Sequence, residues 1–276
     1  MKTSTLSPPA PSGTNGPFSD IKPSVYLPDP SLAFHPYIPE RLGYVQLLRL
    51  LNPALARLLI ETKPYSLVNA RNRTTLYREG RGTLRRGVAG DFIEIGVHKG
   101  GTAAMLASLI KDDDERQLHL FDRWGDLPEP TEEDGFRRDE YRKDRIADKL
   151  ARLRDDPPQE RARHLIEDVL GFPRDRLHYY PGWYSETFED YPGTPIAFAS
   201  IDCDYYESVR DALEFVDRFA SPGATIVADD YGSWPGARTA IEEWISRTDR
   251  EVRLYPLRTG PAVLRLSSQP KGRSTK

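Results

Sequence analysis

The stretch Gly90-Asp91-Phe92-Ile93-Glu94-Ile95-Gly96-Val97-His98-Lys99-Gly100-Gly101 decides the fold. A short apolar run, Phe92 to Ile95, ends in a glycine turn, and Thr102 to Ile110 then follows helical patterning. Strand, glycine loop and helix in that order make the first βα unit of an α/β sheet, with its ligand expected at the carboxyl ends of the strands. Glycines at such a turn permit tight backbone geometry and close approach to a ligand. The spacing is not G-x-G-x-x-G, because His98 takes the middle position, and this weakens a dinucleotide reading.

Outward from this unit, strands and helices alternate. Strands are expected at Leu118–Phe121, Leu177–Tyr180, Ile196–Ile201 and Ala224–Ala228, and helices at Ser208–Phe219 and Pro235–Ile245. That alternation predicts a mostly parallel sheet covered by helices on both faces. Val252–Leu257 and Ala262–Leu266 lie too close for a helical crossover and should form a terminal antiparallel hairpin. The polar stretch from Gly125 to Gly171 carries helical pieces at Tyr141–Leu153 and Glu160–Leu170. Upstream, Leu42, Val45, Leu48 and Leu51 share one helical face, continued by Leu55, Leu58 and Leu59 beyond Pro53. A second helical segment spans about Ser66 to Arg85. Residues 1–40 hold nine of the 24 prolines and resist regular structure. The organisation expected is a disordered tail over 1–25, a helical or lid region over 26–85, the α/β domain over 86–268 and a tail over 269–276.

Composition narrows the function. The 276 residues carry 39 basic and 42 acidic side chains, a net charge of −3, so no strong field favours nucleic acid or an anionic membrane. A single cysteine, Cys203, excludes a disulfide framework and a multi-cysteine zinc site. No apolar run reaches the roughly 20 residues that span a bilayer, and the expectation is a soluble cytoplasmic protein.

The acidic residues carry the chemistry. Asp122 ends the second strand, 26 residues after Gly96, where a carboxylate holds ribose hydroxyls by accepting two hydrogen bonds. Glu94, costly to bury unpaired, is expected to accept backbone N–H groups of the loop. Asp202 and Asp204 follow the fourth strand, and Asp229 and Asp230 the fifth. Asp202 and Asp229 stand 27 residues apart, one strand–helix–strand unit, so they should converge on the rim that bears the glycine loop. Carboxylates gathered there repel one another unless a cation lies between them. Oxygen donors of this kind suit Mg²⁺, Mn²⁺ or Ca²⁺ rather than zinc. Asp204 has two readings: N-cap of the following helix, or functional acid.

Five motifs in order resemble the macrocin O-methyltransferase (TylF) family, which includes the mycinamicin and novobiocin sugar O-methyltransferases. They are Gly90–Val97 with Gly100-Gly101, Phe121–Pro130, Gly182–Phe188, Asp202–Ser208 and Asp229–Gly232, and the likeness covers about residues 65–266. The resemblance implies a class I S-adenosylmethionine-dependent methyltransferase fold: seven strands, mostly parallel, with the antiparallel hairpin last. It implies S-adenosylmethionine and a divalent cation, Mg²⁺ or Mn²⁺, and methylation of a hydroxyl on a small-molecule natural product, often a deoxysugar. It assigns Asp202, Asp229 and Asp230 to the metal, Asp204 to general-base duty, and Asp122 to the ribose. Glu94, Gly96, Val97, Gly100, Gly101, Thr102, Arg123 and Asp202 are the further candidates for the cofactor. Cys203 stands where glycine is frequent in the family.

Mg²⁺ takes six oxygens, so three carboxylates leave room for two neighbouring substrate oxygens and one water, which favours a sugar diol or a catechol. Sugar and aromatic acceptors both stay open. A nicotinamide-dependent oxidoreductase is the alternative from another class, disfavoured by His98 and by the aspartate cluster; a cofactor-binding protein without catalysis is a further one. His98 is also a second base candidate. Trp183 and Tyr184 fit a pocket wall or the core equally. The arginines at 71, 73, 78, 81, 85 and 86 read as a solvated helical face. His35, His119, His164 and His178 lack metal spacing and read as structural. The Leu42–Ile60 stripe packs on the domain or on a second subunit, which leaves a homo-oligomer open.

Overall fold

The computed structural model describes residues 43–125, 128–135 and 156–270. The expectations for 1–42, for Tyr141–Leu153 and for 271–276 lie outside the described residues. A helical layer comes first: α1 (Tyr44–Leu51), α2 (Pro53–Thr62) and α3 (Ala70–Arg85). The sheet then alternates as β1 (Asp91–Ile95), α4 (Gly101–Ile110), β2 (Leu118–Asp122), α5 (Pro158–Arg163), β3 (Leu177–Pro181), α6 (Tyr184–Thr187), β4 (Ile196–Ile201), α7 (Tyr206–Phe219), β5 (Ala220–Ala228) and α8 (Pro235–Arg247). It closes with β6 (Arg250–Pro256) and β7 (Ala262–Pro270).

The seven strands lie in the order β3-β2-β1-β4-β5-β7-β6. The first five are parallel, and β7 runs antiparallel to both β5 and β6. β1 is buried along its whole length, as a central parallel strand must be with helices on both faces. One face packs Ile93, Ile95 and Phe121 against α7 and α8, with Phe188 and Phe215 stacked at 4.1 Å. The other packs Phe92, Leu118 and Phe198 against α4 and Leu76 of α3. The order of strand addition reverses between the parallel neighbours β1 and β4, so the connections that follow them run to opposite faces of the sheet and leave a crevice at their carboxyl ends.

Several expectations change. The N-terminal stripe is two helices: the Asn52 side chain accepts the Leu55 N–H, capping α2 at Pro53, since proline suits a first helical turn. Tyr44 and Leu48 are buried, whereas Leu51 is 59% exposed and leaves the expected face. The α3 arginines are not uniformly solvated. Arg73 is buried and donates to the Leu59 carbonyl at 3.0 Å and the Thr62 hydroxyl at 2.7 Å, tying α3 to α2. The helical piece expected over 160–170 is α5 followed by a π-helical stretch, His164–Val169. β7 extends to Pro270, beyond the expected boundary at 268. Among the described residues no helix is long and apolar enough to cross a membrane.

Candidate active site

A cavity of about 320 Å³ opens over the crevice. The turns after β1, β2, β4 and β5 form its floor, and Tyr65–Val68 from the helical layer and Pro158 form part of its wall. Trp183 and Tyr184 both line it; Trp183 is exposed and reads as pocket wall, whereas Tyr184 also packs on the core, stacked on Phe188 at 5.4 Å.

Gly96 has a left-handed φ of +88°, and a Cβ there would lie 1.8 Å from the Asp202 carbonyl oxygen. The close approach that requires glycine is therefore the protein's own β4 turn: the Asp202 N–H donates to the Ile95 carbonyl at 2.9 Å. Gly100 and Gly101 likewise admit Ala162 and Tyr65–Ser66 rather than a ligand.

Asp122 and Glu94 differ from expectation. The Val97 and His98 N–H groups both donate to Asp122 Oδ2 at 2.7 Å, and the Trp124 N–H donates to Oδ1 at 2.6 Å. A carboxylate offers about four acceptor positions, so one is left, on Oδ1. Glu94 accepts none of the loop N–H groups. It is fully buried, and among the described residues neither carboxyl oxygen has a hydrogen-bond partner of good geometry, although the Thr102 hydroxyl faces it. The loop turns toward β2, and Asp122 takes the donors that Glu94 was expected to hold. Burial pushes the Glu94 carboxyl up to about 8; the Thr102 hydroxyl opposes this and the Asp122 charge adds to it. Arg123 lies over the Trp183 ring, 3.7 Å from its centroid, at the cavity edge. His98, Trp124 and Asp204 are the non-glycine residues with left-handed φ (51°, 48° and 61°) among those described, and all three line this cavity. Backbone strain of this sort concentrates at functional sites.

Asp202, Asp229 and Asp230 come together as expected: each offers an oxygen, and these oxygens lie within 4.8 Å of one another. Burial raises all three carboxyls above the usual range, and charge from neighbouring aspartates adds to the shift. Asp229 is pushed up to about 6, with the Asn72 amide opposing the rise. An oxygen-only cluster that repels itself fits a hard divalent cation.

Asp204 does not cap α7. The N-cap is Tyr205, and the Tyr206 N–H donates to Asp134 Oδ1 at 2.8 Å from the loop after β2. The Asp204 N–H donates to Asp230 Oδ2 at 3.0 Å, while the residue lines the cavity beside the carboxylate cluster. Sequence reasoning missed Asp134 and Asn72. The pattern Thr131-x-x-Asp134 signals a cap, and the structure forms that capping box. Asn72 donates to Asp229 Oδ1 at 3.1 Å across 157 residues, for which the sequence holds no local signal. His119 is structural as read, held between the Tyr180 hydroxyl and Asp91.

The profile of the macrocin-O-methyltransferase (TylF) family matches residues 63–255. The chain belongs to this family. It is 30% identical over 166 residues to 8-demethyl-8-(2,3-dimethoxy-alpha-L-rhamnosyl)-tetracenomycin-C 4'-O-methyltransferase of Streptomyces olivaceus, covering 59% of this chain and 61% of that protein. To demethyldecarbamoylnovobiocin O-methyltransferase of Streptomyces niveus it is 27% identical, covering 59% and 60%. The match thus spans about three fifths of each relative's length. The solved O-methyltransferase NovP superposes with a TM-score of 0.59 at 19% identity, covering 74% of this chain and 82% of that one. That likeness establishes the class I methyltransferase fold.

Proposed function

We propose that the protein transfers the methyl group of S-adenosylmethionine to a hydroxyl of a glycosylated small-molecule natural product, with a divalent cation, Mg²⁺ or Mn²⁺, in the site. The observation that carries this reading is the carboxylate cluster Asp202, Asp229 and Asp230, set on the rim of the same cavity as the Gly96 turn and Asp122. Family membership supports the methyl transfer. The rhamnosyl tetracenomycin and novobiocin names of the relatives support a sugar-bearing acceptor.

The residues divide the work as follows. Asp122 shapes the glycine loop and offers its remaining Oδ1 position to a ribose hydroxyl, while Arg123 and Trp183 close the cavity edge beside it. Thr102 lines the cavity as a further cofactor contact, whereas Glu94 is fully buried behind it and does not line the cavity. Asp202, Asp229 and Asp230 would hold the cation, which supplies charge stabilisation for an acceptor oxygen and fixes its orientation when bound. Asp204 takes the hydroxyl proton as the oxygen–carbon bond forms and the carbon–sulfur bond breaks. Its left-handed backbone and the N–H bond to Asp230 hold it beside the cluster.

The test compares Asp204→Asn with Asp229→Asn. Asp204→Asn keeps size but loses the base, so turnover should fall about 10²–10⁴-fold with cofactor and cation binding intact. Asp229→Asn should instead weaken cation binding, with partial recovery at high Mg²⁺. Normal turnover of Asp204→Asn removes it as base, and full wild-type activity in chelator removes the cation.

A further inference from the structure

The helical layer reaches the candidate cation centre through one side chain. Asn72 lies in the first turn of α3, its backbone N–H donating to the Asn69 cap at 3.0 Å. It is buried, and its Nδ2 donates to Asp229 Oδ1 at 3.1 Å. A carboxylate only accepts, so the amide nitrogen, not its oxygen, must face Asp229. The Asn72 Oδ1 is buried as well and has no hydrogen-bond partner among the described residues. Leaving a buried acceptor open costs on the order of 1–3 kcal/mol, a cost that leucine, with the same branched shape, would not carry. Packing alone therefore does not account for asparagine here. A carboxylate anchored through one oxygen loses its freedom to rotate, which fixes the direction of the other.

We infer that Asn72 is a positioning residue for the cation centre: its amide holds Asp229 in the orientation that joins Asp202 and Asp230, and couples α3 to cation binding. The inference rests on the reading that these three aspartates hold a divalent cation. It predicts that the helical layer sets cation affinity while leaving cofactor affinity to the glycine loop and Asp122.

The test uses the full chain, with Mn²⁺ affinity read by electron paramagnetic resonance and S-adenosylmethionine affinity by calorimetry. Asn72→Leu removes the donor and keeps the branched shape of the side chain. It should weaken Mn²⁺ binding about 10–100-fold, the usual effect of losing a partner that orients a metal ligand, and raise the apparent KM for Mg²⁺ more than it lowers kcat. S-adenosylmethionine affinity should stay within about twofold, since Asn72 does not line the cavity and its side chain hydrogen-bonds to Asp229. Unchanged Mn²⁺ affinity in Asn72→Leu, with Asp229→Asn impaired, overturns the inference and leaves the cation reading standing. If the wild type itself binds no Mn²⁺, both fall. Should the variants fail to fold, wild type labelled with ¹⁵N-asparagine gives the answer: Mn²⁺ should broaden the Asn72 side-chain signals beyond detection, and signals that persist in the Mn²⁺-loaded protein overturn the inference.

Discussion

At the scale of single residues, two acids in the cofactor loop behave differently from an isolated motif. Asp122 is committed to three backbone N–H groups. Asp122→Asn, which replaces an acceptor oxygen by a donor, should therefore destabilise the ligand-free protein by about 1–3 kcal/mol and also weaken S-adenosylmethionine binding. Urea melts and calorimetry read the two effects separately, and lost stability with unchanged cofactor affinity would reduce Asp122 to a loop brace. Glu94 gives a prediction in pH. Its carboxyl is raised from an ordinary 4.5 to about 8, so the folded state binds the proton more tightly than the unfolded chain. Stability from this group is present at low pH and is lost as pH rises from about 4.5 toward 8. Glu94→Gln removes that loss. Relative to wild type it should gain about 2 kcal/mol between pH 6 and pH 8 in urea melts of the ligand-free protein. Parallel stability–pH curves for the two proteins would show that Glu94 does not titrate in this range.

At the scale of elements, the loop after β2 acts through a cap. Asp134 Oδ1 accepts the Tyr206 N–H at 2.8 Å and Oδ2 accepts the Thr131 N–H at 2.8 Å. It thereby fixes the start of α7 directly after the Asp202–Asp204 turn. Asp134→Ala should cost about 1–2 kcal/mol, the upper range for a cap, and Asp134→Asn should recover much of it; equal thermal melts for alanine and wild type would refute the cap. This contact also shows what the sequence leaves hidden. Strands β1 to β5 and the terminal hairpin were legible because burial on both faces demands apolar runs, and the turns between them carry glycine or aspartate. The convergence of Asp202 with Asp229 was legible because adjacent parallel strands bring their ends together. The cap on α7 was not, since Asp204 stands at the right distance in sequence and Asp134 arrives from 72 residues away. The helix break at Asn52 was readable in principle from Asn52-Pro53, but the continuous leucine pattern across it gave the opposite signal. Asn72 against Asp229 depends on how α3 packs along β5, which no local pattern encodes.

At the scale of the whole molecule, the carboxylate cluster sets stability against occupancy. Asp202, Asp229 and Asp230 all titrate above the ordinary carboxylate range, Asp229 at about 6. The ligand-free fold therefore binds more protons than the unfolded chain as pH rises from about 4 through 6 and beyond, and its stability falls over that window. A cation bound between the three carboxylates relieves the same repulsion and competes with the same protons, so its contribution grows with pH. At 100 times its dissociation constant it would add about 2.7 kcal/mol, about 5–11 °C in melting temperature for a domain of this size. Melting with saturating Mg²⁺ against EDTA should accordingly show a shift of several degrees at pH 8 and a much smaller one at pH 6. Asp229→Asn should reduce the shift at pH 8 while raising the melting temperature in EDTA, because one of the repelling charges is gone. A Mg²⁺ shift of equal size at both pH values, or one that survives in Asp229→Asn, would place the cation elsewhere on the molecule. The absence of any shift at pH 8 would remove it from the site altogether.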